Sequence, residues 1–360
     1  MITFSFISLI LYYITFFALF LACFNLKTNS KNFEQKIKFT ILIPFRNELE
    51  NLPKLLKSIN ELNYDFSKFE VILIDDNVEK CKINLTNLKF ETIIIPNKRS
   101  TNSPKKDALT LGVNLAKHTF IITVDADCEV PENWLQNYNN YLSQNTDKEL
   151  VIGQVEIKSN NSLLQIFQVI EFDVLQAVTM GSYAVNQAFM CNGANLCFTK
   201  NIFNEVKGYH GNTHIASGDD VFLLQKIKSI QPKSIGFCKA TEKVVTNPVS
   251  SWKSLYYQRL RWASKTVAYD SFFAKYLAFL VFFTQLICIF SFGYLIFIHF
   301  NKTLFSLLIL KYLIHLLLLF KIQKFTIKTL IYSLFFEIYY VFFSIFITIS
   351  SLLKKKVKWK

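Results

Sequence analysis

The chain has 360 residues, 51% of them apolar, and a formal net charge of +14 at pH 7. The apolar residues crowd both ends and the lysines flank them, so the basic balance points to an anionic membrane surface before a nucleic acid; no basic stripe with aromatics and no nucleic-acid module argues otherwise. The seven cysteines (Cys23, Cys81, Cys128, Cys191, Cys197, Cys238, Cys288) stand singly with no C-x-x-C, which indicates neither a disulfide framework nor a zinc site and reads most of them as small buried hydrophobes.

Residues 2–26 carry no charge and are long enough to span a bilayer. No Lys or Arg precedes this run, so an uncleaved anchor is expected rather than a signal peptide. Lys27, Lys31, Lys36 and Lys38 follow it, which puts the N-terminus outside and the next domain in the cytoplasm.

From residue 38 the pattern changes to short apolar runs. Residues 39–43 end at Pro44, 71–74 at Asp75 and Asp76, 92–95 at Pro96, and 120–124 at Asp125. Runs apolar on both faces read as strands of a covered parallel sheet. Helical periodicity separates them, through Leu52, Leu55, Leu56 and Ile59, and again through Ala108, Leu111, Val113 and Leu115 after Pro104. This is an alternating β-α domain, and in such sheets ligands bind beyond the carboxyl ends of the strands.

Those ends are the informative positions: Pro44 to Glu48, then Asp75 and Asp76, the basic loop beyond Pro96, and Asp125, Ala126 and Asp127. On an extended backbone Asp125 and Asp127 would face the same way, and two like charges side by side need a counter-charge. A hard divalent cation carrying a diphosphate supplies one; a solvated acidic turn is the plainer alternative. Lys105 and Lys106 open a helix, where a lysine could hold a phosphate or simply be solvated beside Asp107. Pro131 reads as the first residue of the next helix.

Residues 150–155 read as a further strand and 163–183 as a long amphipathic helix that includes Glu171 and Asp173. Gly193, Ala194 and Asn195 would either admit a close ligand or form a turn. Asp219 and Asp220 stand at a helix start, where one could cap and the other face a site. The run 251–262 reads as an amphipathic interface helix with Gln258, Arg261 and Trp262 on one face. Residues 272–300 and 330–353 can each span; 304–320 is short, carries Lys311 and His315 one turn apart, and is expected not to cross fully. Those two side chains are either functional or snorkelling.

In order, Asp75-Asp76, Lys105, Asp125-Ala126-Asp127, Gly218-Asp219-Asp220 and the Q-x-x-R-W run from Gln258 to Trp262 make a set that resembles the membrane-bound family 2 glycosyltransferases, the group that includes cellulose and hyaluronan synthases and ceramide glucosyltransferase. The resemblance covers about residues 38–266. It implies an α/β GT-A (nucleotide-diphospho-sugar transferase) domain with N- and C-terminal transmembrane helices. It also implies roles: Asp76 with Asp75 at the nucleotide base, Lys105 at the uridine or diphosphate, Asp127 on a divalent metal (Mg2+ or Mn2+), Asp125 nearer the ribose and diphosphate. Asp220 would be the general base in preference to Asp219, and Gln258, Arg261 and Trp262 would line the acceptor and diphosphate end.

The expected organisation is an anchor (1–26), a cytoplasmic GT-A domain (38–248), an interface helix (249–271), membrane helices (272–353) and a basic tail (354–360). The expected function is inverting transfer of a sugar from a nucleotide sugar, with a UDP-sugar the first expected donor, to a lipid or glycan acceptor at the cytoplasmic face of the cell (inner) membrane. A processive polysaccharide synthase is the close alternative, though the chain has few membrane helices for a channel; a non-catalytic nucleotide-sugar binder is the more distant one. The sugar, acceptor and oligomeric state are not written in the sequence.

Overall fold

The computed structural model describes residues 2–28, 31–77, 85–159, 162–322 and 326–353; Cys81, Lys324 and the basic tail 354–360 lie outside them. In chain order the elements are α1 (Ile2–Ala22), β1 (Phe39–Phe45), α2 (Leu52–Asn60), β2 (Phe69–Asp75), β3 (Glu91–Pro96), α3 (Pro104–Leu115), β4 (Phe120–Thr123), β5 (Cys128–Glu129) and α4 (Trp134–Gln144). There follow β6 (Leu150–Gly153), β7 (Val155–Ile157), α5 (Leu163–Ala184), β8 (Leu196–Thr199), α6 (Lys200–Glu205), α7 (Asp219–Ile230), β9 (Ile235–Cys238) and β10 (Val244–Thr246). The chain closes with α8 (Trp252–Ser264), α9 (Phe272–Phe297), α10 (Lys302–Ile322) and α11 (Ile327–Leu353). Two compact units result: a sheet unit of Lys27–Lys158 and Met190–Asn247, and a helical unit of Met1–Leu26, Ser159–Phe189 and Pro248–Val357.

The sheet unit is an α/β fold. Its seven-stranded sheet runs in the order β3-β2-β1-β4-β8-β6-β9, beside a small sheet β5-β10-β7. β1 pairs in parallel with β2 and with β4, and β2 with β3, so the four predicted strand ends share one rim. The sheet is mixed rather than wholly parallel, because β8 runs antiparallel to both β4 and β6. Apolar runs report burial and not direction, so this reversal left no mark on the pattern. β2 is buried along its whole length, whereas β3, expected to be covered on both faces, is the partly exposed edge. Each fully buried Ile, Leu or Val at β1 and β2 contributes about 1.5–3 kcal/mol. The predicted strand 150–155 is two short strands broken at Gln154, and α4 begins at Trp134, three residues beyond Pro131.

In the helical unit five helices are long and apolar enough to cross a membrane among the described residues: Ile7–Asn25, Leu163–Ala184, Phe272–Phe297, Lys302–Ile322 and Ile327–Leu353. The second of these is the amphipathic stretch of the sequence reading. α1 packs closely on α5 at Gly181, where an added Cβ would lie 2.5 Å from the Leu19 carbonyl oxygen. The segment judged short is a 21-residue helix, α10, long enough to span. Lys311 and His315 do not snorkel: both are buried, both meet the Glu337 carboxylate of α11, and His315 Nε2 meets the Tyr12 hydroxyl of α1.

Candidate active site

The chemistry-bearing residues of the sheet unit gather where β1, β2 and β4 end. Beyond β4 the backbone leaves the sheet, and the Cys128 amide donates to the Asp125 carbonyl at 3.1 Å. Asp125 and Asp127 therefore sit on a tight turn and not on the extended strand the sequence suggested. Asn247 donates to the Asp127 carbonyl oxygen at 3.1 Å, tying the turn to the end of β10.

α3 delivers Lys105 from its first turn. Its ammonium lies 2.7 Å from Asp125 Oδ1 and 3.2 Å from Asp219 Oδ2. Burial alone would lower this lysine's pKa, but Asp125 and Asp219 outweigh it and hold it well above its ordinary value. Lys106 instead is buried and donates to the carbonyls of Asn212 and Ile215, at 2.8 and 2.9 Å, which secures the segment leading to α7. Asp107 accepts from the amides and hydroxyls of Ser100 and Thr101 and so shapes the loop before α3.

Gly218, at φ +81°, caps α7 in a left-handed conformation and places Asp219 and Asp220 in the first helical turn, where the helix dipole favours carboxylates. Asp220 Oδ2 accepts from the Gly193 amide at 3.3 Å. At Gly193 a Cβ would lie 3.0 Å from Asp219 Oδ2 and 3.5 Å from Lys105 Nζ, so a larger residue here would press on the Asp219 carboxylate. Thr123 holds the same loop by donating to the Gly193 carbonyl at 2.7 Å. Asn195, by contrast, is a pin: it accepts from Trp134 and Tyr138 and donates to the Gln154 carbonyl.

At the end of β2 the Asp75 carboxylate accepts from the Asn77 amide at 2.9 Å, and Asn77 in turn accepts from the amide of Asn47, which is held at φ 58°. Asp76 is buried and clasped by Arg99, whose Nε and Nη2 both approach it at 2.7 Å; Asn97 donates to it as well. Arg99 was visible only as part of a basic loop; the register that sets Pro96 beside Asp75 brings it to Asp76.

Burial, reinforced by Asp125 and Glu48, pushes the Asp127 carboxyl up to about 6. Lys105 faces the carboxylates of Asp125, Asp219 and Asp220, and Asp127 stands beside Asp125 in the same cluster. Hard carboxylate oxygens gathered in this way suit a divalent cation. Among the described residues no three His, Cys, Asp or Glu side chains form a complete cage, so such a cation would need oxygens from its ligand.

Gln258, Arg261 and Trp262 all lie on α8 of the helical unit. Leu255, on the same helix, is buried in a core with Phe167 and Ile170 of α5, Leu319 of α10, and Phe336 and Phe343 of α11.

The Glycosyl transferase family 2 model matches residues 40–196, and the Glycosyl transferase family group 2 model matches residues 120–352. A probable glycosyltransferase of Sulfolobus acidocaldarius is 23% identical over 235 residues, which is 62% of this chain and 48% of that protein. Glycosyltransferase AglE of Haloferax volcanii is 22% identical over 188 residues, 51% of this chain and 58% of that protein. The chain thus spans about half the length of these curated relatives. The mannosyltransferase PcManGT of Pyrobaculum calidifontis, solved in complex with GDP-Man and Mn2+, has the same fold over 98% of this chain and 96% of its own, with a TM-score of 0.59 and 14% identity. With the second family model covering well over half the chain, and a GT-A-like sheet carrying acids at its strand ends, this protein belongs to the family 2 glycosyltransferases.

Proposed function

We propose that this chain is an inverting glycosyltransferase that moves a sugar from a nucleotide-sugar donor to a lipid or lipid-linked acceptor at the cytoplasmic face of the cell membrane, with kinship to the cellulose, hyaluronan and ceramide transferases within its family. The observation that carries the reading is Lys105, which joins the acid pair after β4 to the acid pair opening α7. Asp75 and Asp76 serve the nucleotide end, with Asp76 preset by Arg99, and Asp125 serves the ribose and diphosphate. Asp127 would hold Mg2+ or Mn2+; when bound, the cation neutralises the diphosphate and eases its departure.

Asp219 is buried and ion-paired with Lys105 at 3.2 Å, whereas Asp220 is the more exposed of the two, which supports Asp220 as the base. Asp220 takes the proton from the acceptor hydroxyl; that oxygen bonds to the anomeric carbon as the carbon–diphosphate bond breaks on the opposite face, and one displacement inverts the configuration. Lys105 balances the charge that builds up on the departing diphosphate. Gln258, Arg261 and Trp262 contact the acceptor and diphosphate; Arg261 suits phosphate through its planar fork.

The test is a donor panel of UDP- and GDP-sugars offered to the detergent-purified chain with Mn2+ or Mg2+, with and without membrane lipid extract, reading released nucleoside diphosphate and product anomer. Asp220→Asn should lower turnover by about 10²–10⁴-fold while donor binding persists. A product of retained configuration, or an Asp220→Asn variant at full turnover, would overturn the assignment.

A further inference from the structure

Between Gln258 and Trp262 stands a second arginine, Arg259, beside Arg261 in the same motif. It is the most enclosed charged group of α8, with its side chain 5% exposed. Its Nε lies 3.0 and 2.9 Å from the two carboxylate oxygens of Glu171 on α5, and Nη2 lies 2.7 Å from Oε2. Glu171 is equally enclosed, at 7%. Nη1 donates to Gln258 Oε1, and the guanidinium carbon stands 4.2 Å from the centre of the Trp262 ring. One rigid planar group therefore touches a carboxylate, an amide and an indole at once.

A guanidinium can only donate, so Gln258 must turn its oxygen toward Arg259. That leaves the Gln258 NH2 as the group to present, a donor matched to a phosphate or hydroxyl oxygen. Stacking on the guanidinium holds the indole of Trp262 by a cation–π contact. Glu171 fixes the fork from the opposite helix through a bidentate, charge-assisted pair.

We infer that Arg259 and Glu171 are positioning residues: a clamp between α5 and α8 that sets Gln258 with its NH2 outward and Trp262 with its ring fixed, ready for an oxygen-rich ligand. The inference rests on the proposed role of Gln258 and Trp262. A plain fastening of two helices is the competing account, and it predicts loss of stability without a specific tie to those two side chains.

The experiment uses the full chain in detergent, reading nucleoside diphosphate release and thermal unfolding. Gln258→Ala and Trp262→Ala establish the motif's contribution; if both keep normal turnover, the reading of the motif fails and the clamp fails with it. If they are impaired, Arg259→Lys, which keeps the charge but loses the fork, should lower turnover about tenfold or more in the native background. In the Gln258→Ala/Trp262→Ala background it should lower what remains by less than about twofold, because its partners are already gone. Glu171→Asp serves if Arg259→Lys does not fold, with the same expected pattern. Gln258→Glu supplies an independent readout: it still accepts from Arg259 and should unfold no earlier than the native chain, yet lose turnover as Gln258→Ala does. Normal turnover in Arg259→Lys or Glu171→Asp alongside impaired Gln258→Ala, equal losses in both backgrounds, or full activity in Gln258→Glu would each overturn the inference.

Discussion

Replacing Asp127 by Asn should abolish turnover and at the same time stabilise the cation-free protein. In the folded chain its carboxyl is raised from 3.8 to about 6, by burial first and then by Asp125 and Glu48. At about 1.4 kcal/mol per unit, ionising it in the fold costs up to about 3 kcal/mol more than in the unfolded chain. Because the folded value is the higher one, this cost is absent below 3.8, develops as the pH rises to about 6, and is complete above that. Asn fills nearly the same volume without the charge. Its coupling to Asp125 shares part of the relief, so a gain of about 2 kcal/mol at pH 7.5 is expected, falling below about 0.5 kcal/mol at pH 4. The assay is thermal and denaturant unfolding in detergent with EDTA at both pH values, beside turnover with Mn2+. A variant no more stable than the native chain at pH 7.5, or equally stabilised at both pH values, would refute the account. Added Mn2+ should raise the unfolding temperature of the native chain and leave that of the variant nearly unchanged.

Lys105→Met leaves Asp125 and Asp219 facing each other without their shared ammonium. It should destabilise the fold by about 3 kcal/mol at pH 8, by less near pH 4, and eliminate nucleoside diphosphate release. Gly193→Ala places a methyl 3.0 Å from Asp219 and 3.5 Å from Lys105, and should lower turnover at least tenfold with an unfolding midpoint shifted by only a few degrees. Glu337→Gln removes the carboxylate that Lys311 and His315 share in the helical unit, and should cost about 3 kcal/mol in detergent unfolding. A midpoint unchanged from the native chain would show that another group balances Lys311.

Much of the candidate site's placement was legible because strand ends can be read from where apolar runs stop. Asp75, Asp76, Asp125 and Asp127 follow directly from that rule, and the structure places Lys105 and Asp219 in ion-pair contact with the same cluster. Their individual partners were not legible. Arg99 reaches Asp76 only through the pairing of β2 with β3, and Glu171 reaches Arg259 across 88 positions of chain. The two acids of α5 gave 163–183 the look of an amphipathic helix; burial against other helices, with Glu171 answered by Arg259, makes it part of the helical unit.

By itself the sequence determined the strands β1 to β4, the apolar segments at both ends of the chain, and the acids that follow the strand ends, because periodicity and hydropathy are local properties of the chain. Only the tertiary structure decided the direction of β8, the turn that carries Asp125 and Asp127, the bridging position of Lys105, and the partners of Lys311, His315 and Arg259. Strand direction and charge pairing depend on contacts between residues far apart in sequence, and those contacts exist only once the backbone has closed around them.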